Sequence, residues 1–277
     1  MPQARRTTGR RPPRHTNDLG ARVAAGVPAA LFAIFIVYSG GAVFAAGAAL
    51  LGVICLHELY AMYGDLRPVR LAGFLGLIGL VVAALYGDTT HVLLVLAATV
   101  ALVFLLTIAG PSIEGGTLGM AIVLLGVVWV GVAIAHAVML RELPRGGGIV
   151  ADVLIGTFVG DTGAYFGGRA LGRRKLAPRL SPNKTVEGLL AGIVTAILAV
   201  WIAGLYQDWL SGTDALLLGL GVALAAPVGD LFESFIKRDA GTKDTGRLFG
   251  AHGGALDRLD AILFTLVVGY YVWRALL

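Results

Sequence analysis

The sequence predicts an all-α polytopic membrane protein with about nine transmembrane helices and a cytoplasmic N-terminus. Three observations carry that expectation. Hydrophobic residues fill 57% of the 277 positions and charged residues only 14%, against a usual quarter; the mean hydropathy of +0.82 is more apolar surface than a soluble globule of this size can hide. Nine apolar runs approach the roughly 17–25 residues that one bilayer crossing needs. The basic residues then sort by side. With the N-terminus inside, 19 of the 22 Lys and Arg lie on cytoplasmic segments, and only Arg141, Arg145 and Arg274 lie outside.

The elements follow in order. The opening "MPQARRTTGRRPPRHTNDLG" holds five arginines and reads as a basic, disordered cytoplasmic tail, 1–20, able to touch anionic lipid. An alternative takes the first apolar run as a signal peptide cut near "VFAAGAA"; further apolar runs follow at once, which favours an uncleaved anchor. Spans are expected at 22–38, 41–60, 71–87, 91–109 and 118–139 within an N-terminal transmembrane region, 21–148, with a tight turn at "YSGG". Four more, at 149–168, 186–206, 213–235 and 256–274, make a C-terminal region, 149–277, where the polar residues gather. Between its first two spans, "RALGRRKLAPRLSPNK" reads as a long cytoplasmic loop. Gly156 and Gly160 form a G-x-x-x-G, a spacing that lets helix backbones approach closely. Cys55 is the only cysteine, which excludes an intrachain disulfide and a cysteine metal cluster. The net charge of +5 is first a topology signal, so no nucleic-acid partner is expected.

A carboxylate in the middle of a spanning helix costs about 2.5–3.5 kcal/mol on insertion scales, so it persists only beside a partner, an ion or a polar cavity. Asp161, Glu187, Asp230, Glu233, Asp257 and Asp260 all lie in or at the ends of the last four spans. Counting helical rise from the flanking basic residues places them in one layer, roughly 10–12 Å below the cytoplasmic surface. The first five spans add only Glu58 near that level. Asp230, Ser234 and Lys237 share one helix face, as do Asp257 and Asp260, whereas Arg258 points about 100° away. Hard carboxylates without a Cys or His cluster favour Mg2+ or a similar cation over zinc. The plainer alternative for any one acid is an ion pair, such as Glu233 with Lys237.

Around this layer stand Lys184, Lys237, Arg238, Lys243, Arg247 and Arg258. Acids that hold a cation beside a ring of Lys and Arg suit phosphoryl chemistry, because the charge that shifts in the transition state needs neutralising. The glycines of "GAHGGALDRLD" let phosphates approach backbone N–H groups at the start of the last helix. No G-x-x-x-x-G-K-[ST] occurs, so a P-loop is excluded. His252 stays open between ligand, proton carrier, phosphate donor and a bond within its loop; His57, His91 and His136 show no partner pattern.

The block "SFIKRDAGTKDTGRLFGAHGGALDRLD" closely resembles the signature of phosphatidate cytidylyltransferases, the membrane enzymes that make CDP-diacylglycerol. A second block, "GDTGAYFGGRALGRRKLAPRLSPNKTVEG", resembles another region typical of that family, and together they span the last four apolar runs. Three departures, Gly250-Ala251 for a usual Pro-Gly, Ala255 for a larger aliphatic and Asn183 for a frequent Lys, touch loop stiffness and packing more than charge. The resemblance implies transfer of a cytidylyl group from CTP to phosphatidic acid, with Mg2+, a second cation such as K+, a homodimer, and the inner membrane as location. It implies that Asp230 and Asp257 hold the divalent metal, with Asp161 and Asp260 in support. Lys237, Arg238, Lys243, Asp244, His252 and Arg258 become catalytic candidates. Ser181, Lys184, Ser234, Gly253 and Gly254 become substrate-binding candidates. The shallow layer then reads as a polar funnel, about 10 Å deep, open to cytosol and lipid. Rival readings are a CDP-alcohol phosphotransferase, whose D-G…A-R…G…D…D pattern is absent, a dolichol-kinase-like enzyme, and a cation-coupled transporter. A transporter would place its acids near the midplane.

Overall fold

The computed structural model describes residues 18–246 and 253–277. His252 and Arg247, and the basic tail up to residue 17, lie outside the described residues. The chain runs α1 (Asp18–Ser39), α2 (Gly41–Met62), α3 (Arg70–Tyr86), α4 (Thr89–Ile108), α5 (Gly116–Gly126), α6 (Val132–Glu142), α7 (Gly146–Leu171), α8 (Val186–Gly204), α9 (Gly212–Asp239) and α10 (Leu256–Leu276). A π-helical turn, Val127–Gly131, joins α5 and α6 into one rod. Each expected span therefore has its helix among the described residues. Seven of these are long and apolar enough to cross a membrane; α3, at 17 residues, and Gly26–Ser39 of α1 are shorter. At about 1.5 Å per residue, 17 residues reach roughly 26 Å against a hydrocarbon core near 30 Å.

The helix ends follow local chemistry. Gly40 takes a left-handed φ of 65° between α1 and α2, and a Cβ there would run into the Arg141 guanidinium. That guanidinium donates from Nε to Val37 O at 2.9 Å, satisfying a carbonyl that the end of α1 leaves without a helical donor. Asp88 caps α4, accepting from the backbone N–H groups of Thr90 and His91 at 2.8 and 3.1 Å. The His91 side chain beside it, 2.9 Å away, holds the exposed Asp88 carboxyl below its ordinary range. Thr185 and Ser211 cap α8 and α9 in the same way.

One expectation needs correction. The segment 169–184 is not simply a loop: Lys175–Ala177 and Ser181–Thr185 form strands β1 and β2 of an antiparallel hairpin, pairing Lys175 with Thr185 and Ala177 with Ser181. The cause is a helix-start residue acting at a distance. Glu187, in the first turn of α8, accepts from the backbone N–H groups of Arg173 and Arg174 at 2.9 and 3.1 Å, while Val186 N donates to Arg174 O at 2.9 Å. Glu187 thus ties the hairpin and stands apart from the acid layer to which the sequence reading assigned it.

Small residues set the helix spacing around that layer. A Cβ on Gly160 of α7 would lie 3.0 Å from the Ala196 Cβ of α8, and one on Gly192 would lie 2.9 Å from the Ala164 Cβ, so α7 and α8 touch backbone to backbone as the G-x-x-x-G spacing suggested. Gly229 does the same between α9 and α10: a Cβ there would sit 2.5 Å from Asp260 O. In the other half, Tyr60 of α2 is fully buried and donates to Val123 O at 3.1 Å, beside the π-helical turn. Gly73 and Gly126 leave the room its ring occupies.

Candidate functional site

The close approach at Gly229 brings the acids of α9 against those of α10. One oxygen each from Asp230, Glu233 and Asp260 lies within 4.8 Å of the others. Glu233 is only 1% exposed. Its Oε2 pairs with Lys237 Nζ, one turn along α9, at 2.7 Å, but its buried Oε1 has no hydrogen-bond partner among the described residues. Asp230 pairs with Lys184, at the end of the hairpin. A buried carboxylate with one oxygen lacking a donor among the described residues, grouped with two further carboxylates, is a costly arrangement unless a cation answers it. Among the described residues the donors are all hard oxygens, which fits Mg2+ or Ca2+ rather than zinc.

Lys237 links this group to the next. Its Nζ also donates to Asp257 Oδ1 at 2.8 Å. Asp257 Oδ2 accepts from Gly254 N at 2.7 Å and from Thr245 N and Oγ1, both at 3.0 Å. Both oxygens of Asp257 are therefore engaged, and it stands beside the three-carboxylate group as the clasp that folds the glycine segment onto α10. Gly253 has a φ of 80°, and a Cβ there would strike that same carboxylate. At the end of α9, Arg238 Nε donates to Leu180 O at 3.3 Å, holding the hairpin turn. Tyr63, just past α2, donates to Asp239 at 2.8 Å; burial and then that bond push its phenol above its ordinary range.

On the other side of Asp230 lies a cleft of about 600 Å3 between α7, α8, α9 and the hairpin. Asp161, Arg169, Ser181, Lys184 and Asp230 put polar groups into it, and Ala196, Ala223, Ala226 and Pro227 form an apolar wall. Pro227 has no N–H to give the carbonyl of Ala223 one turn back.

The structure thus joins Asp161, Lys184, Asp230, Glu233, Asp260, Lys237 and Asp257 in one continuous string. Ser181 lines the cleft, and Ser234 lies half-buried one turn beyond Asp230. Lys243 and Asp244 are exposed on the segment after α9, and Arg258 is exposed in the first turn of α10. From sequence Glu233 belonged to the acid layer but was not among the metal-binding candidates; its ion pair with Lys237, the plainer alternative, is present. The sequence reading left Glu58 unassigned. Glu58 is buried on α2 and accepts from Ala255 N and Leu256 N at 3.0 and 2.9 Å. The signal was there: it is the one acid of the first five spans near the layer.

The sequence model of the cytidylyltransferase family matches residues 20–276. A phosphatidate cytidylyltransferase of Bacillus subtilis is 32% identical over 263 residues, covering 92% of this chain and 97% of that protein. One from Pseudomonas aeruginosa is 38% identical over 163 residues, 57% of this chain and 58% of that protein. An Escherichia coli protein, YnbB, described as uncharacterized, is 41% identical over 147 residues; that match spans 51% of this chain and about half, 49%, of YnbB.

Proposed function

The chain belongs to the cytidylyltransferase family, and from that membership we propose that it transfers a cytidylyl group from CTP to phosphatidic acid, giving CDP-diacylglycerol and pyrophosphate. The observation that carries this reading is the set of acids and bases from Asp161 to Asp257, beside a cleft lined by both charged and apolar side chains. Phosphatidic acid needs that pairing, since its phosphate must meet cations while its chains remain in an apolar setting.

The chemistry asks little of any one side chain. A lipid phosphate oxygen, already ionised near neutral pH, bonds to the α-phosphorus of CTP as the bond to the β-phosphate oxygen breaks, and pyrophosphate leaves with that electron pair. No activated Ser, Cys or His is required. The protein must hold the two phosphates in line and offset their mutual repulsion. Lys184, in the cleft wall, and Lys237, between Glu233 and Asp257, are placed to receive phosphate oxygens as they exchange carboxylate partners. Arg238, Lys243 and Arg258 border the same end, with Asp244 and His252 as further candidates. The backbone N–H of Gly254 at the start of α10 is held by Asp257, so Gly253 and Gly254 would serve substrate by letting it approach the backbone closely.

Asp230, Glu233 and Asp260 would hold the divalent cation, supported by the unanswered Oε1 of Glu233. Bound there, Mg2+ supplies charge neutralisation on phosphate oxygens. Asp257 would join that set only by releasing Lys237, and Asp161 lies where a second cation such as K+ would find a carboxylate. Counting α1 and α3 as further crossings gives nine, the N-terminus inside, and a funnel facing the cytosol at the hairpin end of an inner-membrane protein. The 19-to-3 division of Lys and Arg supports that orientation.

The test is direct. Purified protein with phosphatidic acid, labelled CTP and Mg2+ should yield a CDP-lipid and pyrophosphate, and a chelator should stop it. Folded protein that yields no CDP-lipid would overturn the assignment; a CDP-lipid formed equally well with chelator would remove the metal from it.

A further inference from the structure

The N-terminal half sends one charged group into the site, and nothing so far gives it work. We infer that Glu58 is a positioning residue of the transfer reaction, acting from α2 to fix the glycine segment and the first turn of α10. The inference rests on the cytidylyltransferase reading.

Three donors converge on this one carboxylate. Oε1 accepts from Ala255 N at 3.0 Å, and Oε2 accepts from Leu256 N at 2.9 Å. Oε2 also lies 3.1 Å from the hydroxyl of Thr245. The first two are backbone N–H groups at the start of α10, which no helical carbonyl can satisfy. Helices usually cap themselves with a nearby Ser, Thr, Asp or Asn. Here the residue before α10 is Ala255, which provides no side-chain cap, and the carboxylate arrives from a helix almost 200 residues earlier.

The fit is steric as well as polar. A Cβ on Gly254 would overlap the Glu58 carboxylate, and one on Gly246 would lie 2.5 Å from its Oε1. Both glycines are thus places where the segment needs to pass close to this side chain. Nor is α2 free to follow the segment, because Tyr60, two residues on, is locked between Gly73 and Gly126 and bonded to Val123. Glu58 is a fixed peg against which Gly246, Gly254 and the start of α10 are set.

The consequence reaches the reacting groups through Thr245. Its hydroxyl lies 3.1 Å from Glu58 and 3.0 Å from Asp257, and its own N–H donates to Asp257 at 3.0 Å. With one hydroxyl proton between two carboxylates, a shift of Glu58 is felt by Asp257 and then by Lys237. Asp260, one turn on from Asp257, rides on the same helix end.

Glu58→Gln keeps the shape but turns an amide N–H2 toward backbone donors. Hydrogen exchange at the Ala255 and Leu256 amides, read on protein without added metal or substrate, should accelerate by about ten- to 100-fold, the worth of a charged hydrogen bond. In turnover, kcat should fall by about 100-fold, as for a misplacement near 1 Å, and the half-saturating Mg2+ concentration should rise. A purely structural role would reduce the folded fraction while leaving half-saturation unmoved. Unchanged exchange overturns the inference, as does raised exchange with kcat and half-saturation within about twofold of wild type. Should Glu58→Gln not fold, Thr245→Val and Thr245→Ser decide: Ser should restore what Val loses, and equal kinetics for the two would overturn it. If wild type makes no CDP-lipid, the reaction is misassigned, yet the exchange experiment still decides whether Glu58 holds the segment.

Discussion

A single methyl group at Gly229 should test the acid cluster without touching a charge. A Cβ there would sit 2.5 Å from Asp260 O and 3.0 Å from Ala261 Cα, where a carbon–oxygen contact normally needs about 3.3 Å. Backbone cannot swing aside like a side-chain tip, so α10 must retreat from α9 by roughly 0.8 Å, and Asp260 goes with it. Misplacement near 1 Å costs about 100-fold, so Gly229→Ala should lose about 10- to 100-fold in kcat, or about 1.4–2.7 kcal/mol. Overpacking also costs about 1–3 kcal/mol of stability, and the assay therefore uses protein shown to be folded at the working temperature. CTP turnover is measured across a Mg2+ titration. Gly221→Ala is the control on the same helix: its Cβ would meet only side-chain ends, Val268 and Val272, at 3.1 Å. Wild-type kcat in folded Gly229→Ala, or an equal loss in both variants, would refute the geometry.

Other perturbations separate the parts of the site. Glu233→Gln removes one charge from the three-carboxylate group, and half-saturating Mg2+ should rise about tenfold; an unmoved titration would take Glu233 out of the metal set. Lys184→Met should raise KM for CTP or for phosphatidic acid about tenfold, and constancy of both would exclude it from phosphate binding. Arg141→Met removes the bond to Val37 and should destabilise by about 1.5–3 kcal/mol with kcat unchanged, because Asp161 lies about 20 Å further along α7. A kinetic effect there would reveal coupling between the two ends of the bundle.

What the sequence disclosed and what it withheld follow a physical division. Apolar runs announce helices because a bilayer crossing demands them, so the helical rods among the described residues were legible, and so was the packing role of Gly156 and Gly160. That Asp230 and Asp260 fall at a common level along neighbouring helices was legible because helical rise is regular. Which acids meet was not. Glu187 had the right depth but turned to the backbone of Arg173 and Arg174, because a carboxylate in the first turn of a helix captures whatever N–H groups pass nearby. Asp257 appeared as one of a pair with Asp260, yet Lys237, Thr245 and Gly254 take its oxygens. Those outcomes depend on how far α9 approaches α10, and that distance is written in Gly229, a residue whose meaning shows only once its neighbour is known.

The position of Pro227 in α9 has a consequence for how such a catalyst can change. Pro227 stands three residues before Asp230, and from there onward Asp230, Glu233 and Lys237 occupy a single stiff segment. The cleft is lined by α7, α8, α9 and the hairpin, while the three-carboxylate group lies on α9 and α10, so only α9 belongs to both. Substitutions at the apolar cleft positions of α7 or α8, such as Ala164 or Ala196, can reshape the room offered to a lipid without disturbing the three-carboxylate group. A substitution that tilts the last turns of α9 must move two acids and a base together. Altered lipid preference is therefore open to gradual adjustment, whereas the ionic arrangement can only be kept or lost as a unit.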